Sequence, residues 1–362
     1  MNNATGFSSV RFSSVRFGSV RMGTAAALIM LMGALSPVFG AQSSAANGMT
    51  YTAQRAESEN AYETYETDEA YEPMVAVGQQ QLDAGEYESA LATFEGAIAQ
   101  YPDAARLFVG KGESLYGLGQ FEAAAAAFKT ATEQSPDYLY AWVWLGNAYD
   151  DSQQLDLALD AYSAASRLDA ANPMPYYHRG IALWYAKRDA EAEADFRKVV
   201  QAVPDFSSAW MWLGRSLGQQ ARYEDALAAF DQALKLAPDQ MGAVFGRGRS
   251  LLELDRFAES VKAFDVYLLD DSASAQAWFY HGNGLLNLAQ YEDALASYAQ
   301  SLSIDPNEGT FYNQGLALTN LERYDEAIAS FEQAIALNPE NADAREQVER
   351  LKQLRAQAKP AV

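Results

Sequence analysis

Arg215 and Arg249 stand 34 residues apart, in the phrases WLGRSLG and GRGRSLL. Asn147 and Asn283 share their phase at the same step. Each guanidinium presents a planar fork of donors that suits a carboxylate, so two in register could grip one or two acidic groups. A second set, Tyr177, Phe245, Phe279 and Tyr312, falls at another common phase. Aromatic side chains in such a row could anchor a partner segment. Two plainer alternatives stand beside these readings. The arginines could pair with nearby acids on a solvated face, where such pairs contribute little. The rings could fill the space between helices. Spacing alone leaves both questions open.

Catalytic chemistry has little material. The chain has no Cys, which excludes thiolate nucleophiles, disulfides and Cys-ligated zinc. The only histidines, His178 and His281, lie far apart in sequence with no accompanying nucleophile motif. Gly246-Arg247-Gly248-Arg249 lacks the Lys-Ser/Thr that a phosphate loop requires. The pairs Asp150-Asp151 and Asp270-Asp271 lack the alternating oxygen spacing of a calcium loop. The expectation is no enzyme activity, no metal and no cofactor.

The elements that must position these residues show in a fixed register. Gly78, Gly112, Gly146, Gly180, Gly214, Gly248, Gly282 and Gly315 are spaced by 34 residues, the last by 33. A later aromatic and alanine accompany them, as in Tyr223, Ala226, Phe230 and Ala233. Prolines 102, 136, 204, 238, 306 and 339 close most units. Such a period signals a solenoid of stacked units. In the third unit, Trp142, Leu145, Gly146 and Tyr149 share one helical face. Leu155, Ala158, Tyr162 and Ala165 repeat that face on a second helix, with Gln153-Gln154 at the turn. The small residues let two helices approach, and the large rings fill what remains. Trp142, Trp210 and Trp278 occupy the aromatic packing phase and are expected in the core; Trp144, Trp184 and Trp212 are undetermined.

The W-x2-L-G-x2-Y phrase, with Ala, Phe, Ala and Pro at their later offsets, resembles the tetratricopeptide repeat family. The resemblance covers eight units, at about 71–104, 105–138, 139–172, 173–206, 207–240, 241–274, 275–307 and 308–341. Departures occur: Ala170 and Ser272 stand where proline is expected, and Tyr267 replaces a small residue. Residues 342–362 resemble a polar capping helix and tail. The resemblance implies an all-α, right-handed solenoid with a concave groove lined by first helices. It also implies that Arg215, Arg249, Asn147 and Asn283 (ninth positions) and Tyr177, Phe245, Phe279 and Tyr312 (fifth positions) face that groove and bind the partner. Some members grip a partner's terminal carboxylate with Lys, Asn and Arg; no Lys stands at the fifth positions here, so that clamp is incomplete.

The N-terminus places Arg11, Arg16 and Arg21 before the apolar run from Ala25 to Phe39. That pattern predicts a secretory signal over residues 1–40, cut after Gly40 or, second, after Ala46. An uncleaved anchor, a transit peptide and a start at Met22 are the alternatives. Residues 41–70 are polar and then acidic, with Tyr51, Tyr62 and Tyr65 and few aliphatics; they are expected to form a disordered linker, or else a Tyr–Glu recognition tail. The formal charge of −22 disfavours nucleic acid and anionic membrane as partners. The whole predicts an exported, non-catalytic scaffold, periplasmic, lumenal or secreted, that binds a protein or peptide and leaves the membrane once its signal is cut. The alternatives are a self-assembling envelope or lumenal component, such as a homo-oligomer, and a targeting or regulatory module for a separate enzyme.

Overall fold

The computed structural model of the protein describes residues 70 to 358. The expected export signal, all but the last residue of the expected linker, and the final four residues lie outside that range. The described residues form helices and turns, with no strand among them. The first two pairs are α1 (Glu72–Asp83) with α2 (Tyr87–Ile98), and α3 (Ala105–Gly117) with α4 (Phe121–Gln134). Then come α5 (Leu139–Asp151) with α6 (Leu155–Leu168), and α7 (Met174–Tyr185) with α8 (Asp189–Ala202). They are followed by α9 (Ser207–Gln219) with α10 (Tyr223–Leu236), and α11 (Met241–Glu253) with α12 (Phe257–Asp270). The last pairs are α13 (Ala275–Asn287) with α14 (Tyr291–Ile304), and α15 (Glu308–Asn320) with α16 (Tyr324–Leu337). A final helix, α17 (Ala342–Ala358), packs on α16 through Ala344, Val348 and Leu351.

Within each pair the periodic glycine receives the aromatic ring of the second helix. A methyl group on Gly146 would lie 2.4 Å from the Tyr162 ring, and one on Gly112 would lie 2.6 Å from Phe128. The same close seat recurs from Gly78 with Phe94 to Gly315 with Phe331. Between pairs a different contact repeats. Trp144 stacks on Phe128 at 6.0 Å, Trp212 on Phe196 at 6.2 Å and Tyr280 on Phe264 at 5.8 Å, each ring meeting an aromatic sixteen residues earlier. Each buried ring of a second helix is thus sandwiched between its own glycine and the next unit's first helix. A single helix pair leaves that surface open, which is why the units must stack.

The expected core tryptophans are placed differently. Trp144 and Trp212 are the deeply buried ones, each 1% exposed. Trp142, Trp210 and Trp278 lie half-buried at the edge. Their indole N–H groups donate to the carbonyls of Pro136, Pro204 and Ser272 at 2.8, 2.9 and 2.9 Å. These rings tie each first helix to the loop before it. The bond asks only for a carbonyl, so Ser272 serves as well as proline.

The turn inside every pair contains one left-handed residue. Only the first two turns use glycine, Gly85 and Gly119; the others use Gln153, Lys187, Ala221, Asp255, Ala289 and Glu322, at φ between 57° and 62°. In each case the next backbone N–H reaches back to the first helix, as Gln154 does to Tyr149 at 2.8 Å and Arg222 to Leu217 at 3.1 Å. Successive first helices touch along the array, most lightly at α3 to α5, where Tyr116 meets Trp144 edge-on at 5.1 Å, whereas second helices do not approach one another so closely. The first helices therefore line the narrower face of the stack. Ninth-position side chains, one residue past the core-facing glycine, are turned about 100° off the packed interface.

Candidate binding site on the first helices

Arg215 on α9 and Arg249 on α11 come together on this face. The Arg215 guanidinium lies 4.6 Å from the ring centre of Trp212 and 5.8 Å from that of Trp184. Arg249 lies 5.5 Å from the centre of the Tyr280 ring. Arg215 is half-buried, and desolvation pulls its pKa down, with repulsion from Arg249 as a smaller contribution. Among the described residues neither arginine meets a carboxylate, although the neighbouring Arg247 bonds Asp231 at 2.6 Å. The expectation that both would pair with nearby acids is not met. Aromatic rings flank both guanidinium groups, and Glu253, one turn from Arg249 on α11, makes no ion pair with it. The Trp184 indole N–H is also buried with no acceptor. Gly242 leaves the guanidinium open, since a methyl there would stand 3.1 Å from Arg215 Nη2. The site is therefore rich in donors and cation–π contacts, and its arginines make no ion pair among the described residues.

Of the other candidate residues Tyr177 and Asn147 are buried, and Phe245, Phe279, Tyr312 and Asn283 are half-buried among neighbouring side chains. Tyr177 is 1% exposed, packed against Phe206 at 4.8 Å, His178 and Phe196. Phe245 contacts Phe264, Tyr267 and Tyr280, and Phe279 contacts Tyr280 and Tyr298. Tyr312 meets Phe331 edge-on at 5.4 Å, and burial pushes its pKa up. The aromatic row is thus part of the packing between helices, and Tyr177 is withdrawn from any partner. The reason is the register: all four rings precede the periodic glycine by three residues and share its core-facing side. The two asparagines are engaged as well. Asn147, 6% exposed, accepts from the Tyr162 hydroxyl at 2.8 Å. Asn283 accepts from Tyr298 at 2.9 Å and from Asn313 Nδ2 at 2.8 Å. Both hold a second-helix tyrosine.

Trp184, Trp212, Tyr280 and Gly242 complete the site and were not evident as its members. One signal existed, the three-residue step from Trp212 to Arg215, which places both on one helical face. Trp184 and Tyr280 come from neighbouring helices, which no single phrase reveals.

Two titratable groups elsewhere bear on chemistry. His281 Nδ1 lies 2.9 Å from Ser297 Oγ, and its Nε2 lies 3.1 Å from Asp265 Oδ1. This resembles a Ser-His-Asp relay, but Ser297 is 3% exposed and its hydroxyl donates to the Asp293 carbonyl within α14. No substrate can reach that oxygen. His178 lies between Tyr162 and Tyr177, and burial pulls its pKa down to about 4, so it is neutral at neutral pH. Among the described residues no group of three or more acids and histidines could hold a metal ion.

Asp150, near the end of α5, is pushed up to about 7, first by burial and then by the charge of Asp151. The folded state binds this proton more tightly than the unfolded chain does. Stability therefore falls as pH rises from about 4 to about 7. Asp150→Asn is expected to raise the urea midpoint at pH 8, by about 1–2 kcal/mol in free energy, and to leave it unchanged at pH 4. Equal gains at both pH values would contradict the assignment.

Models of the tetratricopeptide repeat match residues 109–173, 177–240, 213–277 and 245–309. Two further models of the same repeat match 310–341 and 81–132. The chain belongs to the tetratricopeptide repeat family. Solved tetratricopeptide repeat structures share its fold. One, a protein from Parabacteroides merdae, is 15% identical with a TM-score of 0.51, over 68% of this chain and 98% of that one. The Cut9–Hcn1 hetero-tetramer of APC/C gives 14% identity and a TM-score of 0.52, over 86% of this chain and 62% of that one. The C-terminal part of a repeat protein from Cytophaga hutchinsonii gives 15% identity and a TM-score of 0.48, over 76% of this chain and 99% of that one. No curated protein matches the chain.

Proposed function

We propose that this tetratricopeptide repeat protein is an exported, non-catalytic scaffold that binds a partner protein segment on its first-helix face. Membership of the family implies protein partners in general. One observation carries the finer reading. In a chain with 48 acids against 26 Lys and Arg, two mutually repelling arginines lie on neighbouring first helices, and among the described residues neither makes an ion pair. Desolvating a guanidinium without a counter-ion is costly, and the chain has many acids to spare. A partner carboxylate would receive forked hydrogen bonds from Arg215 or Arg249, and its neighbours would lie over Trp184, Trp212 and Tyr280.

Export rests on the pattern of residues 1–40. Among the described residues no helix is long and apolar enough to cross a membrane. N-terminal sequencing of the protein from its native compartment tests the proposed cut after Gly40; a retained Met1 or Met22 rejects it. The binding role is tested by crosslinking in that compartment, followed by recapture with wild-type chain and with the Arg215→Glu/Arg249→Glu double variant. Loss of the captured partner is expected. Undiminished capture by a folded double variant rejects the site.

A further inference from the structure

Residues 57–69, ESENAYETYETDE, carry Glu57, Glu59, Glu63, Glu66, Asp68 and Glu69 and no basic residue. Tyr62 and Tyr65 stand among those acids. The segment lies outside the described residues and precedes α1 directly. Its charge is opposite to that of the Arg215–Arg249 site. Its phenol rings suit a surface already built from Trp184, Trp212 and Tyr280. We infer that the Tyr–Glu segment of one copy of the chain binds the Arg215–Arg249 site of a second copy. This rests on the proposal that the two arginines receive carboxylates.

Reach decides between the same copy and another. Packed helices stand about 8–10 Å apart, so the four first-helix steps from α1 to α9 span roughly 30–40 Å, and α11 is farther. An extended chain covers at most about 3.3–3.6 Å per residue. Glu63, seven residues before Ala70, therefore extends about 25 Å at full stretch, and Glu66 about 14 Å. Only Glu57, at about 45 Å, and Glu59, at about 38 Å, can cover the distance to α9, and a chain held that near full stretch loses conformational entropy throughout. Most of the acids and both tyrosines fall short of their own site. A second copy has no such limit. The contact joins unlike surfaces, so it either closes reciprocally between two copies or continues into larger assemblies. The overall charge of −22 opposes any close approach of copies, so association must come from this local complementarity.

Light scattering and sedimentation of the full chain, over roughly 1–100 μM at physiological salt, test the inference. The mean mass is expected to rise with concentration. Two variants should each weaken association at least tenfold: Arg215→Gln/Arg249→Gln, and Glu63→Gln/Glu66→Gln/Asp68→Asn/Glu69→Gln. The second lies wholly before the helices, so it reports on binding without disturbing the fold. A charge swap adds a positive arm. An Arg215→Glu/Arg249→Glu chain and a Glu63→Lys/Glu66→Lys/Asp68→Lys chain should each stay monomeric alone and associate when mixed. A wild-type chain monomeric throughout overturns the inference, as does association unchanged in either neutralised variant. A monomer that still captures a foreign partner through Arg215 and Arg249 removes this occupant and leaves the site standing. Capture indifferent to those arginines removes both.

Discussion

Gly146→Ala is expected to lower the free energy of unfolding by about 3 kcal/mol, near the upper end for overpacking a core. The added methyl would lie 2.4, 2.6 and 2.8 Å from three atoms of the Tyr162 ring. Tyr162 cannot retreat. It is 1% exposed, lies in a cluster with Val143, Ala158, Ala165 and Ala182, and its hydroxyl is tied to Asn147 at 2.8 Å. Relief must come from parting α5 and α6, which would also disturb the contact with α7. In a stacked array the loss spreads to the neighbouring interfaces. Gly96→Ala is the control. It changes the same atoms on α2, where nothing lies within 4 Å, and should add up to about 1 kcal/mol through helix propensity. Urea titrations followed by circular dichroism measure both. If the two substitutions shift stability by the same amount and sign, the glycine seat is not what sets the helix spacing.

The contrast between these glycines shows how much of the fold was legible. Gly146 belongs to the 34-residue register and Gly96 does not, so the register marks one class of packing glycine; Gly110 and Gly246, which lie outside it, seat Phe94 and Phe230 as closely and were not legible from it. The rings that fill the array were harder to assign. Trp142 sits four residues before Gly146 and was expected inside, whereas Trp144 had no assignment. A helix pair considered by itself has one buried face. In the stack α5 also meets α4, and Trp144 fills that second interface against Phe128. The same limit applies to Arg215. Its phase showed that it leaves the core, yet its bed includes Trp184 from the preceding helix pair. The aromatic row divides for a related reason: its rings lie on the glycine-facing side, where Tyr177 is enclosed while Phe245, Phe279 and Tyr312 stay half-buried.

Arg215→Met should separate stability from binding. At neutral pH the native arginine stays charged, because a guanidinium does not give up its proton in a protein. Burial pulls against that charge, and Arg249 repels it. What opposes these costs is stacking on Trp212 and Trp184, worth about 0.5–2 kcal/mol. Met keeps the unbranched apolar stem over the same rings and removes both the desolvation and the repulsion. The variant should therefore unfold about 1 kcal/mol later than wild type, since an unpaired buried charge costs at least that much. Its affinity for the captured partner should fall at least tenfold, as a charged hydrogen-bond partner is worth about 1.5–3 kcal/mol. Asp225→Asn supplies the opposite case: Arg222 already has Glu193 and Asp225 as partners, so this exposed change should move neither quantity appreciably. Denaturant midpoints and titration of the purified partner measure the two effects. A Met variant that is clearly less stable than wild type would mean that the guanidinium holds α9 in place. The arginine would then be explained by the fold and not by what it binds.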